Sequence, residues 1–187
     1  MIIAIHNTKG GVGSTMLAAH LCALARDLGL TVDAVSADPT QELPRWLGPL
    51  GIRCLDPESL DRPASKEDGE LLVIDVQTAS SPPIEPDVWL VPISDSFALE
   101  HAKALTDRLR GEVFWIPMMG YEVTVPMHLE EVELLPPVPY SRAVAKAASE
   151  LGTVWSVPDL AVTPGGQGLR ESLTQLLSAT GGLAQRI

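Results

Sequence analysis

A chain of 187 residues with 45% hydrophobic residues is long enough to bury a sizeable core within one domain. Aromatic residues make up only 4%, so that core is aliphatic and suits a parallel sheet covered by helices on both faces. The net charge of −11, from 13 Lys+Arg against 24 Asp+Glu, disfavours a broad DNA-binding face, because non-specific DNA binding is mostly phosphate neutralisation.

In chain order, Ile2-Ile3-Ala4-Ile5 is a short apolar strand. It leads into Lys9-Gly10-Gly11-Val12-Gly13-Ser14-Thr15, and Met16-Leu17-Ala18-Ala19-His20-Leu21 then starts a helix. Strand, glycine turn and helix start is the order a P-loop requires. The glycines let backbone N–H groups curl around a phosphate, and the helix N-terminus adds a favourable dipole. A standard P-loop carries lysine directly after its last glycine, and here that place is Ser14. Thr15, at the position whose hydroxyl ligates Mg²⁺ in such loops, is intact.

Leu17, Leu21, Leu24 and Leu28 form one stripe, which predicts a helix over residues 15–28 with Gly29 as its stop. Residues 31–37 read as the second strand, ended by Asp38-Pro39. Residues 39–69 hold prolines and charges, with a weak helix around 42–47. Residues 71–75 are a buried strand ending in the carboxylate of Asp75, where open α/β sheets bind ligands. Further strands are expected at 87–93 and 112–116, with a helix over 96–109 between them. Pro136-Pro137-Val138-Pro139 is a connection, 141–151 a helix, 153–157 a short strand and 168–177 the last helix. This alternation predicts one α/β domain over residues 1–187, a doubly wound and mostly parallel sheet with helices on both faces.

Lys9-Gly-Gly-Val-Gly-Ser-Thr15 resembles the deviant Walker A motif of the ParA/MinD family of P-loop ATPases. Val35-Ser36-Ala37-Asp38-Pro39-Thr40-Gln41 is similar to its second motif, and Leu72-Val73-Ile74-Asp75 to its Walker B strand. Trp89–Ile93 with Ser96–Glu100, and the late segment Val138–Ala145, extend the resemblance over nearly the whole chain. No DNA-binding extension ahead of the first strand is expected. The resemblance implies ATP and Mg²⁺ as cofactors. Lys9, Gly10, Gly11, Val12, Gly13, Ser14 and Thr15 would hold the nucleotide, and Thr15 and Asp75 the metal. Lys9 would reach across a nucleotide-dependent homodimer, and Asp38 would orient the attacking water. The implied function is a switch that positions or partitions a plasmid, a chromosome or a protein complex through an adaptor or cargo protein.

Three departures bear on activity. Ser14 removes a full positive charge from beside the triphosphate, and losing a comparable donor costs roughly 10²–10³ in rate. Ser36 stands where the second motif has its first aspartate. Pro117-Met118-Met119-Gly120 offers no amide where the family has an asparagine for the base. ATP hydrolysis is therefore expected to be slow, and the alternative is a pseudo-ATPase, an interaction module that kept the fold without turnover. A related ATP-dependent ligase or kinase ranks last, since no substrate carboxylate clamp is visible.

The remaining candidates are weaker. His6, His20, His101 and His128 stand singly, without metal-ligand spacing. Glu130, Glu131 and Glu133 read as a solvated acidic face. Cys22 and Cys54 are expected as reduced thiols of a cytoplasmic protein. No run of about 18 apolar residues occurs, and the tail lacks the basic amphipathic character of a membrane-binding helix, so no membrane partner is expected.

Overall fold

The computed structural model describes residues 1–6, 11–37, 42–60, 70–76, 81–94, 99, 102–103, 109–118, 132–138, 141–150 and 152–181. Seven strands form one sheet: β1 (Ile2–His6), β2 (Thr31–Ser36), β3 (Arg53–Leu55), β4 (Glu70–Val76), β5 (Val88–Ile93), β6 (Glu112–Pro117) and β7 (Glu133–Leu134). Their order is β3-β2-β4-β1-β5-β6-β7, and every pairing is parallel. The expected α/β sheet is thus present, and parallel throughout. Parallel neighbours need crossovers, and two of these are the helices α1 (Ser14–Asp27), from β1 to β2, and α2 (Glu42–Leu47), from β2 to β3. Helices α3 (Arg142–Ser149), α4 (Pro158–Ala161) and α5 (Pro164–Ala179) follow the last strand.

Alternation along the strands assigns every side chain to a face. Ile3 and Ile5 of β1, Leu71 and Val73 of β4, Leu90 of β5 and Phe114 and Ile116 of β6 pack with Leu17, Leu21 and Leu24 of α1 and Leu169, Leu173, Leu176 and Leu177 of α5. The intervening residues Ile2, Ala4, Leu72, Ile74, Val76 and Trp89 form a second cluster on the other face, joined by Ile84 and Leu109. Leu99 and Ala102, both helical, cover Val91, Ile93 and Trp115 on that same face. The leucines of α5 thus form a packing face.

The central elements lie within two residues of their expected bounds, and α1 stops as predicted. Gly29 has φ 81°, its N–H donates to Arg26 O (2.8 Å), and the Leu30 N–H reaches back to Ala25 O (3.0 Å). Two short edge strands, β3 and β7, were not anticipated. Glu133 lies in the second of them, with its Cα opposite Phe114; Glu130 and Glu131 lie outside the described residues.

Residues 153–157 are not a strand. Val154–Ser156 is a 3₁₀ turn, because its backbone donors have local and tertiary partners: Val154 N–H donates to His20 Nε2 (2.9 Å) and Ser156 N–H to Thr153 O (3.1 Å). The last helix starts four residues before the expected Gly168. Thr163 caps it, its hydroxyl oxygen accepting from Gly166 N–H (3.2 Å), and Pro164 occupies the first turn, where its missing N–H costs nothing. The expected helix over 96–109 lies mostly outside the described residues.

Candidate functional site

Strand alternation brings the site together. Ile5 of β1, Asp75 of β4 and Ser36 of β2 are in register at the carboxyl ends of three adjacent strands. The α1-facing residues of β2 and β4 are the even-numbered Ala34 and the odd-numbered Leu71 and Val73. Ser36 and Asp75 fall on this same face, and both are buried, at 3% and 2% exposure. The turn at Gly11–Gly13 leads into α1.

Gly11 (φ 80°) and Gly13 (φ 95°) are left-handed, a conformation that costs any other residue roughly 1–2 kcal/mol. Gly13 is the residue before α1, and no side chain caps that helix. Its first turn carries no acidic residue either. The positive end of the helix dipole lies at this turn. Val12 is buried, whereas Gly11 is exposed.

Thr15, in the first turn of α1, donates its Oγ1 hydrogen to Asp75 Oδ2 at 2.7 Å. The contact joins residues sixty positions apart and fixes both at the mouth of the sheet. A hydroxyl and a carboxylate so paired are hard oxygen ligands of the kind Mg²⁺ takes. Among the predicted residues, Gly11, Val12, Gly13, Ser14, Thr15 and Asp75 converge here. Ser14 is itself buried, at 8% exposure. Lys9, Gly10 and Asp38 lie outside the described residues.

Two histidines flank the site. His6 ends β1 on the face opposite α1, is 4% exposed, and meets Trp89 edge-on with ring centroids 5.8 Å apart. Among the described residues its buried Nδ1 has no hydrogen-bond partner, and burial holds its pKa below the ordinary value. His20, two turns into α1, is fully buried between Trp46 and Trp155. Its Nδ1 lies 2.7 Å from Met16 O and its Nε2 accepts from Val154 N–H, so the neutral Nδ1–H tautomer satisfies both atoms. Burial pushes its pKa down to about 4, against a smaller opposing effect of the Met16 carbonyl. A lone histidine in an Ala/Leu helix gives no sequence signal for this latch.

Met118 is 3% exposed and belongs to the main core. A Cβ placed on Gly13 would lie 3.6 Å from its Cε, so Met118 buttresses the glycine turn. Cys22 is buried, and desolvation raises its thiol pKa far above the ordinary range; Cys54 is half-buried and shifted the same way. Both are free thiols. Among the described residues no cluster of His, Cys, Asp or Glu could hold a metal by itself, and no helix is long and apolar enough to cross a membrane.

Residues 3–154 match the CobQ/CobB/MinD/ParA nucleotide-binding domain. The chain belongs to this family. Members of the ParA/MinD group share its fold: the septum site-determining protein MinD of Pyrococcus horikoshii, complexed with Mg-ADP, superposes with a TM-score of 0.71 at 16% identity, over 96% of this chain and 97% of that one. McdA of Cyanothece in an ATP complex gives 0.65 at 13% identity, over 96% of both chains. A candidate plasmid partition protein of Borrelia burgdorferi bound to AMPPNP gives 0.56 at 13% identity, over 95% and 98%. No curated protein sequence matches significantly.

Proposed function

We propose that this chain is a ParA/MinD-type switch that binds ATP with Mg²⁺, dimerises around the nucleotide, and positions or partitions a cargo through an adaptor protein. The observation that carries this reading is the Thr15–Asp75 hydrogen bond at the uncapped start of α1, beside two left-handed glycines. It is the residue geometry that a phosphate and its metal need. Bound Mg²⁺ would neutralise phosphate charge, with Thr15 and Asp75 holding it directly or through water. The N–H groups from Gly10 to Thr15 would hold the phosphates. Lys9, in cis or from the partner subunit, would supply the positive charge that Ser14 does not, and Asp38 would orient water. Solved relatives support the assignment: the MinD and McdA structures hold Mg-ADP and ATP, and Aquifex aeolicus MinD is known in a MinC:MinD cell division complex. The net charge of −11 argues for a protein cargo or adaptor over direct DNA contact.

A second reading, a pseudo-ATPase scaffold, is favoured by Ser14 and Ser36, both buried where the resemblance expects charge. Calorimetric titration with ATP and Mg²⁺, on the native chain and on Ser14→Lys, separates the two. Micromolar or tighter binding by the native chain supports the switch, and sedimentation should then show an ATP-dependent dimer. Binding by Ser14→Lys alone would leave an intact pocket that has given up its nucleotide. A native chain that binds but stays monomeric with ATP·Mg²⁺ would remove the dimeric switch.

A further inference from the structure

We propose that Met118 is a positioning residue for the phosphate site: its terminal methyl holds the left-handed turn at Gly13 from outside, and the end of β6 thereby sets phosphate affinity without touching the ligand. The proposal rests on the nucleotide-binding reading above. A glycine takes φ of either sign almost equally well, so Gly11 and Gly13 do not hold the turn in one shape by themselves. Gly11 (φ 80°) has open space on its Cβ side, with nothing within 4 Å. Gly13 (φ 95°) is walled: a Cβ there would lie 3.5 Å from Met16 Cε and 3.6 Å from Met118 Cε. No side chain caps α1, so the entry angle of the chain is set by such apolar packing and by the Leu17 N–H bond to Gly13 O (2.9 Å).

The two methionines are not equivalent. Met16 lies in the first turn of α1 and moves with the helix it would brace. Met118 comes from another part of the sheet, directly after β6, which is separated from β1 by β5. Its N–H donates to Ile93 O (2.8 Å), and Pro117 O beside it accepts from Val138 N–H (2.8 Å). The backbone is thus tied to β5 and to Val138, while the side chain, 3% exposed, reaches across the core to the turn. Reach is the point of the residue type: the unbranched chain ends in Cε, one atom beyond the Cδ atoms of leucine, and it adapts to irregular gaps. Leucine at this place would fill the core nearly as well but leave the Gly13 end of the gap empty. A turn so released must be ordered by the ligand instead, and fixing the backbone of one residue costs about as much as a ten-fold loss of affinity.

The test titrates inorganic pyrophosphate and ADP·Mg²⁺ into the native chain and into Met118→Leu, with a melt of each free protein. Exchange of methionine for leucine is among the best tolerated in a core, so Met118→Leu should fold and melt close to the native temperature. It should bind both ligands about five-fold more weakly, and the double variant Met16→Leu/Met118→Leu about ten-fold. Norleucine in place of all five methionines keeps a methyl at the ε position and should bind as the native chain does. Leu173→Ala, which empties another part of the same core, should melt earlier and yet bind both ligands normally. Native affinity in Met118→Leu overturns this inference and leaves the switch reading standing. So does an equal weakening in Leu173→Ala, which would make the effect one of core packing in general. Weak binding by the norleucine protein would trace the effect to the sulfur instead of the reach, and overturns it too. A native chain that binds neither ligand overturns both this inference and the switch reading.

Discussion

Two helices of this protein begin with paired glycines, and the pairs serve opposite ends. Gly11 and Gly13 precede α1 with φ of 80° and 95°; a Cβ on the first would meet nothing within 4 Å, and on the second only methionine methyls at 3.5 and 3.6 Å. Gly165 and Gly166 open α5 in ordinary helical geometry, yet a Cβ on Gly165 would sit 2.1 Å from Ser141 Cβ, and one on Gly166 2.6 Å from Leu160 O. The first pair is required by backbone conformation in open space. The second is required by close approach. The caps differ in the same sense: Thr163 satisfies a donor of α5 with its own hydroxyl, whereas α1 has no side-chain cap. One helix start is capped by a hydroxyl of its own chain, and the other has no side-chain cap.

The largest effect should come from filling the closed end. Gly165→Ala forces its Cβ into Ser141, and overpacking of this kind should cost about 3 kcal/mol in denaturant unfolding. Ser141→Gly should rescue part of that loss in the double variant, and Ser141→Ala, which keeps the clashing Cβ, should not. Nucleotide binding should survive in any fraction that folds. If Gly165→Ala proves as stable as the native chain, the glycines of α5 are not there for packing.

The contrast also runs along α1, whose first turn is open while its second is latched by His20 to Val154. The folded pKa of about 4 lies below the ordinary 6.5, so the unfolded chain binds the extra proton. The latch's stability is fully present above the unfolded value and is lost as pH falls toward the folded one. At 1.36 kcal/mol per unit this amounts to about 3 kcal/mol, of which roughly 2 kcal/mol should disappear between pH 7 and pH 5. His6, also shifted down, adds in the same direction. Denaturant unfolding of His20→Gln at the two pH values checks this, because the variant should show a much flatter dependence. An unchanged slope would assign the acid sensitivity elsewhere.

The sequence made the open end legible and left the closed end obscure, for physical reasons. A phosphate loop is a local device: strand, left-handed glycines and helix start lie within a dozen residues, and β1, α1, β2 and β4 to β6 are marked by continuous apolar runs or a single leucine stripe. Asp75 could be nominated from its strand, but its bond to Thr15 follows from β4 lying beside β1 in the sheet. At the closed end the determinants are non-local. The helix is expected only from Gly168, because Ser141 and Leu160, which require Gly165 and Gly166, lie elsewhere in the chain. Residues 153–157 carry β-branched residues and a tryptophan that suit a strand, but propensity yields where Val154 N–H bonds a histidine on α1 and Ser156 N–H bonds Thr153 O within the turn. β3 and β7 are too short to carry any period.

Strain at the open end is smaller than packing at the closed one. Gly13→Ala should cost about 1–2 kcal/mol, since its Cβ meets only ordinary methionine contacts and the penalty is conformational. Gly11→Ala, with nothing near its Cβ, should cost a similar amount. Both should weaken binding of inorganic pyrophosphate far more than their stability loss explains, because an altered turn re-aims the loop N–H groups. Pyrophosphate affinity unchanged in Gly13→Ala would mean that the turn does not hold phosphate.

The smallest expected effect concerns the cap itself. Thr163→Ala removes the hydroxyl that accepts from Gly166 N–H and should cost about 1 kcal/mol, while Thr163→Ser should be nearly neutral. The value lies in what stays unchanged. If the two helix starts are independent devices, Thr163→Ala should melt earlier yet gain the same increment in melting temperature from pyrophosphate as the native chain. An increment that grew in Thr163→Ala would show the anion moving to the uncapped start of α5. The difference between the two glycine pairs would then be one of degree, set by which helix happens to carry a hydroxyl.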